Sequence, residues 1–205
     1  MRNMRFLVAI LFMSMLVSQA GVFGQEVSAP VHQDGEWWRL KKELMDTRGG
    51  SSTECSFIYS DWLVKREAGQ FKAFGMKENA EEAIDCPGIF REVFGISSEA
   101  PNYLKFPLKV GLAWSERYRS SRTRTWRYVE HKVESFEKVS TPKGEFEAFK
   151  ISRVEPGVRI RGGAPFDNIY TYYYSPKTKS FVLFKNEAGQ FYKLTTTLVD
   201  FFVKE

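Results

Sequence analysis

The sequence predicts a mainly β protein, a single domain of curved antiparallel sheet closed as a half-barrel, barrel or sandwich, with one or two short helices around residues 77–94. Three observations carry this. Aromatic residues are plentiful, with 18 Phe and 9 Tyr in 205 residues, and such residues favour pleated, half-buried surfaces. Apolar and polar side chains alternate at period two over much of the chain beyond Pro107, as in Val129, His131 and Val133 against Glu130, Lys132 and Glu134. Turn chemistry of the form Thr-Pro-Lys-Gly at 141–144 and Ser-Pro-Lys-Thr at 175–178 separates these runs, and short turns join antiparallel neighbours.

The chain opens with Arg2 and Arg5, followed by the apolar run Phe6 to Val17, interrupted only by Ser14. Charge followed by an apolar stretch is the order of a secretory signal. Small residues allow cleavage after Ala20 or after Gly24, and we assign 1–24 as the signal peptide. The run is shorter than the roughly 20 apolar residues a spanning helix needs, and nothing later is apolar for long enough. The expectation is therefore export, to the periplasm or beyond, with no transmembrane segment after cleavage.

Residues 25–34 are small, polar and Pro-containing and read as a flexible leader. From 35 to 205 we expect one domain, since about 180 residues supply one sizeable core. Residues 36–46 fit either a helix face or one side of a strand, and the turn cluster Thr47–Thr53 favours a hairpin with the run 54–59. Lys77–Ile84 is rich in helix formers, and Pro87–Phe94 opens with proline and ends before Gly95. Strands are then expected near 113–119, 124–139, 145–154, 166–174, 180–186 and 190–203.

The pentapeptide Glu67-Ala-Gly-Gln-Phe71 recurs at 187–191, Tyr59-Ser60 echoes Tyr174-Ser175, and Gly35 with Trp38 echoes Gly111 with Trp114. The ordered echoes read either as a duplicated meander, 35–75 and 111–201, or as two independent uses of one good turn.

Charge argues little about partners. A net +5 falls to +3 once Arg2 and Arg5 leave with the signal, a modest surplus that counts against nucleic acid as a partner. Cys55 and Cys86 are the two cysteines. In an oxidising compartment a disulfide between them is expected, worth about 3 to 4 kcal/mol in the chain-entropy model; the alternative is a reactive thiol at Cys86, before Pro87-Gly88.

The series Phe106-Pro-Leu-Lys-Val-Gly-Leu-Ala-Trp114, Thr141-Pro-Lys-Gly-Glu-Phe-Glu-Ala-Phe-Lys150 and Tyr173-Tyr-Ser-Pro176 resembles a broad group of exported bacterial β-rich proteins of the domain-of-unknown-function type. These share Pro-Leu-x-x-Gly-x-x-Trp, Thr-Pro-x-Gly-x-Phe-x-Ala-x-Lys and Tyr-Tyr-Ser-Pro patterns. The resemblance covers about 104–201, with a weaker echo over 35–75. It implies an antiparallel β domain outside the cytoplasm and supplies no activity.

Catalytic signatures are scarce. His32 falls in the leader, so His131 is the one histidine on a rigid element, with no second histidine or cysteine at metal-ligand spacing. No Gly-x-Ser-x-Gly elbow or phosphate-cradling loop is present, and we expect no cofactor and no metal. The acidic set Glu78, Glu81, Glu82 and Asp85 lacks the order of a calcium loop and reads as a solvated face.

The strongest candidate is cationic: Arg117, Arg119, Arg122, Arg124 and Arg127, interleaved with Tyr118, Trp126 and Tyr128. Arginine forks match phosphate and carboxylate, so an anion or partner site at a hairpin is one reading; a solvated tip balanced by Glu116 and Glu130 is the other. Arg119 and Arg124 are placed to face each other there, and Arg159 and Arg161 are candidates to join them. The functional expectation is an exported, non-catalytic binding module, for a small amphipathic or anionic ligand or an envelope protein. The alternatives are an envelope hydrolase using His131 with carboxylates, and a structural envelope component.

Overall fold

A computed structural model describes residues 25–45, 61–77, 80–85, 87–96, 102–119, 124–158, 166–186 and 193–205. Ten strands form one open antiparallel sheet: β1 (Trp37–Met45), β2 (Asp61–Glu67), β3 (Gln70–Lys77), β4 (Ala80–Ala83), β5 (Ala113–Arg119), β6 (Trp126–Thr141), β7 (Gly144–Val158), β8 (Phe166–Ser175), β9 (Ser180–Asn186) and β10 (Lys193–Phe202). A single helix among the described residues, α1 (Pro87–Phe94), lies between β4 and β5. The order across the sheet is β4-β3-β2-β1-β10-β9-β8-β7-β6-β5. Two meanders, β1 to β4 and β5 to β10, thus join where β1 pairs with β10.

Strand positions beyond Pro107 follow the alternation in the sequence. The 36–46 segment resolves as strand β1, paired with β10 on one side and β2 on the other. One expectation is corrected. Within 77–84, where helix formers predict a helix, Ala80–Ala83 forms edge strand β4, registered with Phe74–Lys77 of β3. Its helix formers yield to the ladder, and Lys65 Nζ reaches Glu81 at 2.6 Å. Pairing outweighs an intrinsic preference of a few tenths of a kcal/mol per residue, and the exposed acids suit an unpaired edge.

The helix behaves as its sequence directs. Proline opens it, and Gly95 closes it with φ +69, donating its N–H to Arg91 O at 2.9 Å. Ile89, Val93 and Phe94 are buried with Trp38, Leu40, Trp62, Val64 and Leu198 in one core cluster. Lys42 Nζ meets Glu92 at 3.2 Å and Thr196 Oγ1 donates to the same carboxylate at 3.3 Å, tying the helix to β1 and β10. A second cluster joins Trp114, Val133, Ile151, Tyr172 and Phe184 beneath Tyr103 and Leu108. Helix and the 102–112 segment cover one face of the sheet.

Residues 25–34, expected as a flexible leader, are docked on the domain. Val27 and Leu108 exchange backbone hydrogen bonds at 2.9 and 2.8 Å, and the His32 ring packs edge-on against Trp38, Phe71 and Phe94. Val27 and the His32 ring find partners that composition alone does not reveal.

The Gly35 and Gly111 echo is structural. Each is the third residue of a turn, closed by Glu36 N–H to Gln33 O at 3.2 Å and by Leu112 N–H to Lys109 O at 3.1 Å. Each glycine has positive φ, +91 and +87, and donates to a strand carbonyl, Arg66 at 2.7 Å or Val133 at 2.9 Å. Each turn delivers a buried Trp, 38 or 114, three residues on. The first Glu-Ala-Gly-Gln turns β2 into β3 with Ala68 and Gly69 both at positive φ, as a type I′ turn requires; the second copy lies outside the described residues.

Candidate functional site

Strand register places one polar file across the covered face. Trp114 of β5 pairs with His131 of β6, His131 with Arg153 of β7, Arg153 with Tyr170 of β8, and Tyr170 with Asn186 of β9. Directly paired residues point to the same face, so these five side chains stand side by side. His131 is 2% and Arg153 3% exposed. Tyr103, held by its N–H to Gly95 O at 2.8 Å, closes over them.

Aromatic rings frame the cation. The Arg153 guanidinium carbon lies 4.6 Å from the Tyr170 ring centre and 5.2 Å from that of Tyr103. The Tyr103 ring packs tilted against Tyr172, with centres 4.5 Å apart. The adjacent file carries Glu155 opposite Asn168. Glu155 accepts from Tyr118 OH at 2.9 Å and faces Arg127 Nη1 at 3.6 Å.

Several buried polar atoms here have no hydrogen-bond partner among the described residues: His131 Nδ1 and Nε2, Arg153 Nε, Trp114 Nε1, Asn168 Oδ1 and Asn186 Oδ1. Leaving such a group unsatisfied costs about 1–3 kcal/mol, and buried polar atoms are normally paired. Burial, and next the neighbouring Arg153 charge, push the His131 pKa down to about 3. The imidazole is therefore neutral, with one donor and one acceptor. Burial opposes the charge on Arg153, yet Tyr103, Tyr172, Tyr170 and Glu155 outweigh it and hold the guanidinium charged. Burial likewise raises Glu116, against Lys105 and Arg153. The file offers donors, acceptors and a fixed positive charge beside stacked rings, a set that matches a polar or anionic group carried on an apolar body.

The five arginines named from sequence do not converge. Arg117 and Arg119 point to the outer face, opposite Tyr128 and Trp126. Arg127 points inward to Glu155. Arg119 Nε donates to the Arg124 carbonyl at 3.2 Å, so these two meet through backbone and not as opposed guanidinium groups. Arg122, Arg159 and Arg161 lie outside the described residues, as do Cys55 and Cys86. Among the described residues, the neighbours of His131 are the Trp114 indole, the Tyr103 ring and the Arg153 charge, and no carboxylate hydrogen-bonds it as one would to orient a hydrolytic base. Arg153, Tyr103, Tyr170 and Asn186 escaped the sequence reading. One signal was present: Ile151, Arg153 and Glu155 share the strand face that should be apolar.

The fold thus defines an open antiparallel-sheet protein with a helix and a buried polar file on one face. No family model matches the chain, and no curated protein matches it. Two solved structures are similar in shape. One is a Bacteroides fragilis protein inferred to be exported and of YmcC-like fold, at 11% identity and TM-score 0.42, covering 87% of this chain and all 100% of its own. The other is a Parabacteroides distasonis protein inferred to be a lipoprotein, at 14% identity and TM-score 0.41, with 87% and 100% coverage. Among the described residues, no helix is long and apolar enough to cross a membrane.

Proposed function

We propose that this chain is an exported, non-catalytic binding module that takes an amphipathic ligand on the covered face of its sheet, with the ligand's anionic group at Arg153. Export rests on the charged and apolar signal-like start. The carrying observation is the Trp114–His131–Arg153–Tyr170–Asn186 file, in which Trp114 Nε1, both His131 nitrogens, Arg153 Nε and Asn186 Oδ1 have no hydrogen-bond partner among the described residues. Tyr170, Tyr172 and Phe184 supply ring surface for the apolar part. Arg127 and Tyr118, both half-buried, stand on the approach, so the arginine contributed by the hairpin is 127 and not the outward pair. A ligand carboxylate or phosphate oxygen accepts from Arg153, and neutral His131 and the asparagine amides pair its remaining polar atoms.

Calorimetric titration of the full mature chain with decanoate and with 1-decanol tests this. Decanoate is expected to bind at least tenfold more tightly, and Arg153→Met to abolish that preference, consistent with about 1.4 kcal/mol per decade. Equal affinity for the two compounds, or no binding of either at millimolar concentration, would overturn the reading.

A further inference from the structure

The outer face of the β5–β6 hairpin carries a patch separate from the Arg153 file. Side chains alternate, so Arg117 and Arg119 on β5 and Trp126, Tyr128, Glu130 and Lys132 on β6 point away from the polar file. Trp126 is 63% and Tyr128 43% exposed, and Ile169 on β8 adds a third large apolar side chain at 44%. Single exposed apolar residues need no explanation. Here, however, two aromatic side chains sit two residues apart on one strand, directly opposite arginines.

The pairing is specific. Arg119 is registered with Trp126 and Arg117 with Tyr128. The Arg117 guanidinium lies 5.3 Å from the Trp126 ring centre, a cation–π distance, while most of the indole stays in solvent. Arg119 is anchored to the Arg124 carbonyl at 3.2 Å, and Arg124 is exposed. Arg117 thus lies over the exposed indole with Arg119 registered beside it, and Glu134, the next outward acid after Glu130 on β6, is paired with Lys150 at 3.3 Å.

We propose that this outer face is a docking surface for an anionic lipid bilayer. Tryptophan and tyrosine present an apolar body and a polar tip, which suits the boundary between headgroups and acyl chains. Arginine forks pair with headgroup phosphates, and cations near an anionic leaflet contribute cumulatively. Position supports the same occupant: β5 is an edge strand, so the patch occupies a margin of the sheet and meets a plane without burying the covered face. The surface is independent of the Arg153 file, because the sheet itself lies between them.

The test uses the full mature chain with vesicles of phosphatidylcholine alone and of phosphatidylcholine mixed with phosphatidylglycerol, read by co-sedimentation and tryptophan fluorescence. Trp38, Trp62 and Trp114 are buried and Trp37 is half-buried, so a blue shift on vesicle addition is assigned to Trp126 by its loss in Trp126→Phe, and that loss is the expected result. Binding is expected with the anionic vesicles only and to weaken as salt rises. The double variant Arg117→Ser, Arg119→Ser is expected to lower the partition coefficient roughly 30-fold. These positions are exposed, and an unchanged circular dichroism spectrum confirms that each variant folds. Three results overturn the proposal: equal binding to neutral vesicles, undiminished binding by the double arginine variant, or capture by a soluble polyanion such as polygalacturonate with no vesicle binding. Because the readouts are lipid partition and Trp126 emission, their failure leaves the decanoate experiment unaffected.

Discussion

The imidazole of His131 lies flat on the indole of Trp114, with ring centres 4.7 Å apart and planes 2° from parallel. Burial, and next the neighbouring Arg153 charge, keep the imidazole from gaining a proton. Its folded pKa of about 3 lies below the ordinary 6.5, so the unfolded chain binds a proton that the folded one refuses. Stability from this group is complete above pH 6.5 and is lost as pH falls from there towards 3, at up to about 1.4 kcal/mol per pH unit. His131→Phe keeps the stack and removes the titration. Denaturant unfolding across that range should show a flatter acid limb; an unchanged slope would refute the assignment. His32, lowered chiefly by burial, adds slope of the same sign.

Arg153 should cost the fold more than it contributes. A buried cation with an unpartnered Nε is often replaced by an apolar side chain at no loss, or at a gain, in stability. Arg153→Met is therefore expected to melt within a few degrees of the natural chain or above it, while losing preference for decanoate. A drop of about 3 kcal/mol or more would instead make Arg153 a structural residue.

Glu36 closes a clasp between both ends of the domain. Fully buried, it accepts from Lys179 Nζ at 2.6 Å, Lys204 N–H at 3.0 Å and Gln33 N–H at 3.0 Å. Burial by itself would raise its pKa, but these bonds outweigh burial and hold the carboxyl below its usual 4.5. Its contribution is complete above about pH 4.5 and disappears as pH falls through the lower folded value. Glu36→Gln should cost about 3 kcal/mol at neutral pH, because Lys179 is left without its counter-charge. Adding Lys179→Met should recover part of that loss, and a double-mutant cycle by urea unfolding measures it.

Gly95 tolerates no side chain. At φ +69, an added Cβ would lie 2.9 Å from Leu104 Cγ and 3.3 Å from Phe181. Gly95→Ala should therefore cost more than about 1 kcal/mol, seen as a lower urea midpoint. Leu104→Ala in the same chain should relieve the clash but leave the backbone strain.

Strand positions from Trp114 to Phe202 were legible because alternation is a local consequence of the pleat. The helix at 87–94 was legible from its proline and glycine. Strand β4 was not, since Ala-Glu-Glu-Ala has no period and takes its state from β3. The arginine cluster was visible as composition, yet its division between two faces follows from hairpin register, which Ser120–Thr123 do not announce.

By itself, the sequence determined that this chain is a β-rich domain behind a signal-like start, and which side chains of each strand share a face. Tertiary structure alone decided which strands are neighbours, and therefore that His131, Arg153, Tyr170 and Asn186, dispersed along 56 positions of chain, form one file. The physical reason is range: the pleat acts between adjacent residues, whereas a site across five strands depends on registers set by bulges, such as that between Val133 and Ser135, and by the packing of distant segments over the sheet.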